Sequence, residues 1–506
     1  MVIGNIRKAA RLAGCAGALL ALAGCGTFGQ PATPEGQLFA QIYQDVGHYH
    51  LKRTDAHHLA LASLQTLGRF DATLLVTEED GEVVLRDIDV EERFGAPGSD
   101  DSLGWGNVTG RVVAAARSAS PTFAAVAPDV ADELMVDGAL ATLDRFSRYV
   151  RPELARARRA ERDGFVGVGV TLDIAADSVK VASVIPDTPA AAAGVQVADH
   201  IVAVDGAAIG TLTPEALGAR MRGPKDSTLT LEIARAGSSS NLTFTLRRAI
   251  IIGESVTLER QGGVAWLKVR SFNQRTASSA ARLLRDAHQQ MGATLTGIVL
   301  DLRDNPGGLL DQAVELARLF LDGGPVSATV GRLIESDQDF SAPPDGPHET
   351  LPMVVMVNGG SASSAEVVAS ALQDRGRAVV VGTASFGKGT VQTVFRTLNG
   401  GELTVTWAEL FTPLGYHLHR HGVVPTICTA DDHLAEATRA ALTVPRGGLD
   451  DAGWKKLRAA CPPQRDKHDI EQAVAERLLG APALYHAGLV APAEQQPRPT
   501  QAYLKQ

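Results

Sequence analysis

The residues able to do chemistry crowd into two stretches, Asn358-Gly-Gly-Ser-Ala-Ser-Ser-Ala-Glu-Val-Val-Ala-Ser-Ala-Leu-Gln-Asp374 and Gly382-Thr-Ala-Ser-Phe-Gly-Lys-Gly-Thr-Val-Gln392. The first follows an all-apolar run, Met353 to Val357, which reads as a buried strand. It passes through a Gly-Gly turn and small residues into a helical pattern from about residue 364. A hydroxyl at that junction sits at a helix N-terminus, where free N–H groups can stabilise a negative oxygen. Three hydroxyls compete for the position: Ser361, Ser363 and Ser364. A serine nucleophile also needs a base. The only histidine between Asp301 and Gln392 is His348, in a Pro-rich loop. Lys388 is the alternative, flanked by Gly387 and Gly389, which let the backbone pass close to another element. A free lysine is protonated, with a pKa of about 10.4. Burial disfavours the charged form and turns the amine into a usable base. Serine–lysine pairs are a known substitute for the histidine-based triad.

Plainer readings stand beside these. Ser363 could simply cap the helix. Lys388 could bind phosphate, but the full phosphate-loop spacing is absent. Asp374 and Arg377 read as an ion pair at a helix end rather than as catalytic groups. His417, His419 and His421 alternate, as on one strand face. Three imidazoles could hold zinc, but no Cys or carboxylate adjoins them closely, and they read as exposed residues near a turn. His48, His50, His57 and His58 read the same way. No metal and no cofactor are expected.

The order Gly-Ser-Ala-Ser, Glu, Gln-Asp, then Phe-Gly-Lys-Gly-Thr-Val-Gln resembles the carboxyl-terminal processing peptidases, a family of Ser–Lys enzymes. In that family the nucleophile lies eleven residues before the Asp of Gln-Asp and twenty-five before the Lys of Gly-Lys-Gly. Counting back from Asp374 and from Lys388, both spacings select Ser363. The family's orienting glutamine, four after the lysine, falls on Gln392 and would hold the lysine amine in line. A second motif, Leu302-Arg-Asp-Asn-Pro-Gly-Gly308, implies an oxyanion hole from Gly307 and the N–H of Ser364, with Gly308 as the alternative donor. The resemblance covers roughly residues 134–425, including Trp266-Leu-Lys-Val-Arg-Ser-Phe272 and Phe411-Thr-Pro413. Two departures are visible. Ser361-Ala-Ser-Ser-Ala-Glu366 swaps two small residues of the usual alternation, and Thr426 follows Pro425 where an acidic residue is usual.

Residues 164–248 resemble a PDZ domain. The matching pieces are Gly164-Phe-Val-Gly-Val-Gly169, Pro186-Asp-Thr-Pro-Ala190, Ala193-Gly194 and Asp199-His-Ile-Val-Ala-Val-Asp205-Gly206. Gly164, Phe165, Val166, Gly167, Val168 and Gly169 form the expected carboxylate-binding loop, whose N–H groups cradle a terminal carboxylate. An open strand edge beside it would accept an extended peptide. Ala198 stands where such modules usually carry Gly.

Length and composition fit several folded domains: 506 residues, 45% apolar and 21% charged. Net charge is −9 with no basic half, and aromatic content is 5%, so nucleic acid is not an expected partner. Arg7, Lys8 and Arg11 precede an apolar stretch too short to span a bilayer. Leu22-Ala-Gly-Cys25 resembles a bacterial lipobox, which implies cleavage and a lipid on Cys25. Cys428 and Cys461 could pair in an oxidising compartment, but their distance is not readable from sequence.

The expected organisation is a lipoprotein signal peptide over 1–25, a tether and mainly helical region over 26–163, and a PDZ domain over 164–250. A Ser–Lys peptidase core follows over 251–432, then a helical or disordered extension over 433–506. Within the N-terminal region, 38–67 has helical spacing and 72–85 reads as a hairpin. Residues 93–110 read as a Gly-rich loop, and 129–149 as a helix. The fold expected from the resemblance is α/β, with a crotonase/ClpP-like peptidase core and an inserted PDZ β-module. The implied activity is a serine endopeptidase cutting unfolded or carboxyl-terminal protein segments captured by the PDZ domain. The implied setting is the bacterial cell envelope, lipid-anchored to a membrane and facing the periplasm, with assembly into a homo-oligomer left open. Two rivals are a non-catalytic PDZ scaffold on a degenerate peptidase core, and an acyl-CoA enzyme on a crotonase-like core. The retained Ser363, Lys388 and Gln392 speak against the first; no evident CoA site supports the second.

Overall fold

A computed structural model describes residues 2–3, 33–175, 178–346, 348–430, 449–465 and 468–490. Cys25, its leader from residue 4 and the tail from 491 lie outside the described residues.

The apolar runs of the core become the centre of a six-stranded sheet. Its order is Val256–Gln261, Val264–Val269, Gly297–Asp301, Met353–Val357, Val379–Gly382 and Ile427–Cys428. The first pair is antiparallel and the rest are parallel. Every residue of the three central strands is buried, because helices cover both faces. Thr276–Met291, Leu310–Arg318 and Ser364–Asp374 belong to one side. His468–Leu479 and Pro482–Gly488 pack on the other through Val474, Leu478 and Tyr485. The C-terminal extension is thus partly core, since its apolar positions close the second face of the sheet.

Three neighbouring parallel strands each release a loop at their carboxyl ends: 302–309, 358–363 and 383–389. Open α/β sheets place their sites at such ends. A second sheet runs Val2–Ile3, Thr390–Arg396, Glu402–Phe411, Gly324–Gly331, Gln338–Ala342, with Arg148–Val150 also on Glu402–Phe411. Val2 and Ile3 pair with Gln392 and Thr393, although the leader was expected to lie outside the fold.

The N-terminal region packs helices Pro34–Tyr49, Ala56–Gln65, Ser102–Ala119 and Pro128–Leu140 against a three-stranded meander, Leu75–Glu79, Glu82–Asp87, Val90–Gly95. The second half of the expected loop over 93–110, from Ser102 on, is helix. Asp101 caps it by accepting from Gly104 N–H, and its glycines are a contact face. A Cβ on Gly106 would stand 2.5 Å from the Ala40 Cβ, so the two helices approach only without one. The helix expected to reach 149 stops at Leu140, and Arg148–Val150 joins the second sheet instead. His50 is buried, not exposed, and bonds Asp144 at 2.8 Å.

The β-module is an antiparallel sheet in the order Leu242–Arg247, Thr228–Ala234, His200–Val204, Ser178–Val184, Val170–Ala175. Val170–Ala175 is terminal, so its outer edge is open. The chain enters and leaves through a short pair, Phe165–Gly167 with Ala249–Ile251. Ala198 holds φ +69°, the left-handed conformation for which the usual Gly is suited.

Candidate active site

The loop after Val357 ends on Ser363, whose φ is +60° and ψ −116°. A non-glycine residue persists there only when its surroundings enforce it. The enforcing group is Glu366, on the first turn of Ser364–Asp374. Its Oε2 accepts from Ser363 N–H at 2.7 Å and Lys388 N–H at 2.8 Å. Its Oε1 accepts from Gly387 N–H at 2.6 Å and from the Ser385 hydroxyl. One buried carboxylate therefore ties the serine loop to the lysine loop. Burial pushes the Glu366 carboxyl up, and the four donors oppose that by stabilising the anion.

The three serines part company here. Ser361 Oγ donates to Leu302 O at 2.8 Å and accepts from Asn358 N–H at 2.9 Å. Ser364 Oγ donates to Gly308 O at 3.0 Å. Ser363 Oγ is buried and has no hydrogen-bond partner among the described residues. It sits at the N-cap position without spending its hydroxyl on capping.

Lys388 lies in a turn pressed against 418–420. A Cβ on Gly389 would stand 2.0 Å from His419 N, so only glycine fits. Burial, helped by the charge of Arg148, pushes the Lys388 amine down to about 8, against the pull of Glu366 and Asp144. Its Nζ lies 5.1 Å from the centre of the Phe146 ring, and no hydrogen bond joins it to Ser363. Unbound catalytic sites are often looser than the reacting complex.

Three expectations need correction. Gly307 is not a free oxyanion donor, because its N–H bonds Asn305 Oδ1 at 2.8 Å. Gly307 does press on the site: a Cβ there would lie 2.8 Å from the Ser363 Cβ and 3.1 Å from Ser364 N. Gln392 does not hold the lysine; its Nε2 donates to Thr390 at 2.8 Å and Thr406 at 3.3 Å. Asp374 and Arg377 do not pair with each other. Arg377 donates instead to the carbonyls of Phe320, Glu349 and Leu351, and Asp374 accepts from Leu414 N–H.

Beside the lysine lies a cavity of about 990 Å³, lined by His50, Asp144, Phe146, Glu409, His417 and His419 among others. The alternating histidines are thus half-buried, and carboxylates do adjoin them: Glu409 stands 2.8 Å from His417 and Asp451 3.3 Å from His421. Burial, with the nearby charge of His417, pushes His419 down to about 4. Among the described residues no cluster of His, Cys, Asp and Glu could hold a metal ion.

In the β-module, Phe165–Gly167 spend one edge on Ala249–Ile251, and Val168 is buried in the module's core. Gly169 has φ +89°, and a Cβ there would meet Thr188 at 2.2 Å. Thr426, at the departing position, accepts from Gln373 Nε2 at 3.1 Å. Cys428 and Cys461 form a disulfide. Sequence reasoning missed Glu366, although Ser363-x-x-Glu366 has capping-box spacing.

Peptidase family S41 matches residues 263–429, and a PDZ domain matches residues 166–246. A carboxy-terminal-processing protease of Bartonella bacilliformis is 38% identical over 297 residues, covering 58% of this chain and 68% of that protein. A carboxyl-terminal-processing protease of Synechocystis sp. is 36% identical over 300 residues, covering 57% and 69%. A solved structure, a photosystem II D1 C-terminal processing protease, is 24% identical with a TM-score of 0.39, covering 78% of this chain and 92% of that one. The chain belongs to the carboxyl-terminal processing proteases of peptidase family S41, and it is a serine peptidase that carries a PDZ domain.

Proposed function

We propose that Ser363 is the nucleophile of this peptidase and Lys388 its general base. The observation that carries the assignment is the Ser363 hydroxyl: buried, on a strained backbone, and alone of the three serines without a hydrogen bond. In the reaction, the neutral Lys388 amine swings from Phe146 to Ser363, removes the hydroxyl proton, and Oγ attacks the scissile carbonyl. The N–H groups of Gly308 and Ser364 receive the negative oxygen. Lys388 then protonates the departing amine, and water hydrolyses the acyl-enzyme with Lys388 as base again.

The surrounding scheme is also a proposal. The peptidase core has the crotonase/ClpP-like arrangement, preceded by a mainly helical N-terminal region. Residues 164–169 and the open edge of Val170–Ala175 capture carboxyl-terminal segments, which supply the site with unfolded chain. Cys25 is lipidated after cleavage of its leader, and the enzyme faces the periplasm from a membrane. The lipobox resemblance supports that anchoring.

The test is cleavage of an unfolded protein by purified variants. Ser363→Ala and Lys388→Ala should each lower kcat by at least about a thousandfold, with an unchanged circular dichroism spectrum. Ser364→Ala should retain activity within about tenfold, since its contribution is a backbone N–H. Wild-type turnover by Ser363→Ala would overturn the assignment.

A further inference from the structure

Arg458 lies outside the segment that matches the peptidase family, yet it reaches the lysine-bearing turn. It belongs to helix Asp451–Ala460, which packs through Trp454 and Leu457 and ends at Cys461, bonded to Cys428. Its guanidinium forks across two carbonyls, Nη1 to His421 O at 2.6 Å and Nη2 to Ser385 O at 2.9 Å. Ser385 is the residue whose hydroxyl donates to Glu366 and whose Oγ accepts from Val423 N–H at 2.7 Å. The next turn is equally close: Arg420 N–H donates to Gly387 O at 2.9 Å. A Cβ built on Gly422 would stand 2.7 Å from Arg458 Nη1, 2.7 Å from Ser385 Oγ and 3.0 Å from Glu366 Oε1. A cation, a hydroxyl and a buried carboxylate thus meet around one glycine; burial pushes the Arg458 guanidinium down, and the Glu366 charge opposes that.

We propose that Arg458 is a positioning residue of the peptidase. Its fork fixes the turn that carries Lys388, and its charge balances Glu366. The C-terminal helix, pinned by Cys428–Cys461, therefore completes the active site. Glu366 offers two oxygens to four donors, an arrangement that suits the carboxylate and not the protonated acid. A buried anion needs a nearby cation to stay ionised. The charged groups facing it are Arg458 from the helix and Lys388 from the turn. Lys388 is itself faced by Arg148 and Asp144, and His421 beside Arg458 is faced by His417 and Asp451. The fork adds geometry that a point charge lacks.

This inference rests on Ser363 and Lys388 as the dyad. The experiment compares Arg458→Ala, Arg458→Lys and the wild type on an unfolded protein substrate, with kcat and KM followed across pH. Arg458→Ala should lose about tenfold to a hundredfold in kcat, the scale of a misplaced catalytic group, with KM unchanged. Below pH 8 the fall in kcat becomes a two-proton slope where Glu366 gains its proton. That break should move to higher pH in Arg458→Ala and stay in place in Arg458→Lys, which keeps the charge but loses the fork and remains slower than wild type. Reducing the disulfide in the wild type should lower kcat in the same direction. If Arg458→Ala does not fold, Arg458→Lys and the reduced wild type decide the matter, and wild-type kcat in both overturns the proposal. So does a kcat loss in Arg458→Ala with no movement of the break, which is packing alone. A Ser363→Ala enzyme that still turns over defeats the dyad, whereas a dead Ser363→Ala beside a wild-type Arg458→Ala defeats only the role of Arg458.

Discussion

The turn that carries Lys388 and the PDZ module are joined to the same core by different kinds of contact. The turn is bound through a buried carboxylate with four donors, through Gly389 pressed on His419, and through the Arg458 fork. The module touches the core helix Thr276–Met291 and its start through Asp187, paired with Arg275 at 2.9 Å and Arg282 at 3.7 Å. Those partners are solvent-exposed or nearly so, and such pairs are worth about 0–1 kcal/mol. The neck is one short strand pair, Phe165–Gly167 with Ala249–Ile251. Chemistry is held where reacting atoms must stay within fractions of an ångström. The module proposed to capture substrate is held by more exposed contacts.

That contrast can be broken most severely at its buried end. Glu366→Gln keeps the shape but turns an acceptor oxygen into an amide donor facing two other donors. It should lower kcat about a hundredfold with KM little changed, measured on an unfolded protein. It should also lower the melting temperature, since unsatisfied buried donors cost about 1–3 kcal/mol each. A variant with normal kcat would mean that the serine and lysine loops need no common clamp.

The capture end should respond in the opposite parameter. Gly169→Val places a β-branched residue at φ +89° with its Cβ 2.2 Å from Thr188. A strain of about 1–3 kcal/mol in the loop should weaken binding of a carboxyl-terminal peptide about tenfold, read by fluorescence anisotropy. KM for a protein substrate should rise, and kcat should hold. A fall in kcat at constant KM would show that the two regions are not separable.

The smallest effect concerns pH. With Lys388 near 8, activity must rise as pH increases through about 8, because only the neutral amine accepts the serine proton. Arg148→Gln removes a repelling cation, which favours the charged lysine and raises its pKa. The rising limb should move up by about half to one pH unit, seen in kcat against pH.

The contrast also shows which parts were legible in the sequence. Strands such as Met353–Val357 are apolar at every position, and their burial on both faces follows from that pattern. Ser363 and Lys388 were proposed through spacing carried over from a family, and what the structure adds in support is an unspent hydroxyl on a strained turn. Gly307 was misjudged because a glycine-rich motif does not reveal which N–H a neighbouring Asn305 has taken. Residues 93–110 were misread because glycines that permit helix contact look like glycines that permit loops. Arg458 and His50 were beyond reach, since their roles depend on contacts with chain far away in sequence.

The most direct test of the central claim is to find the acylated atom. The protein would be mixed with an activated ester at pH 8, quenched in acid, digested and mapped by mass spectrometry. A single acyl group on Ser363 is predicted, absent from Lys388→Ala under the same conditions. An acyl group on Ser361 or Ser364, or equal labelling of Ser363 without Lys388, would contradict the account.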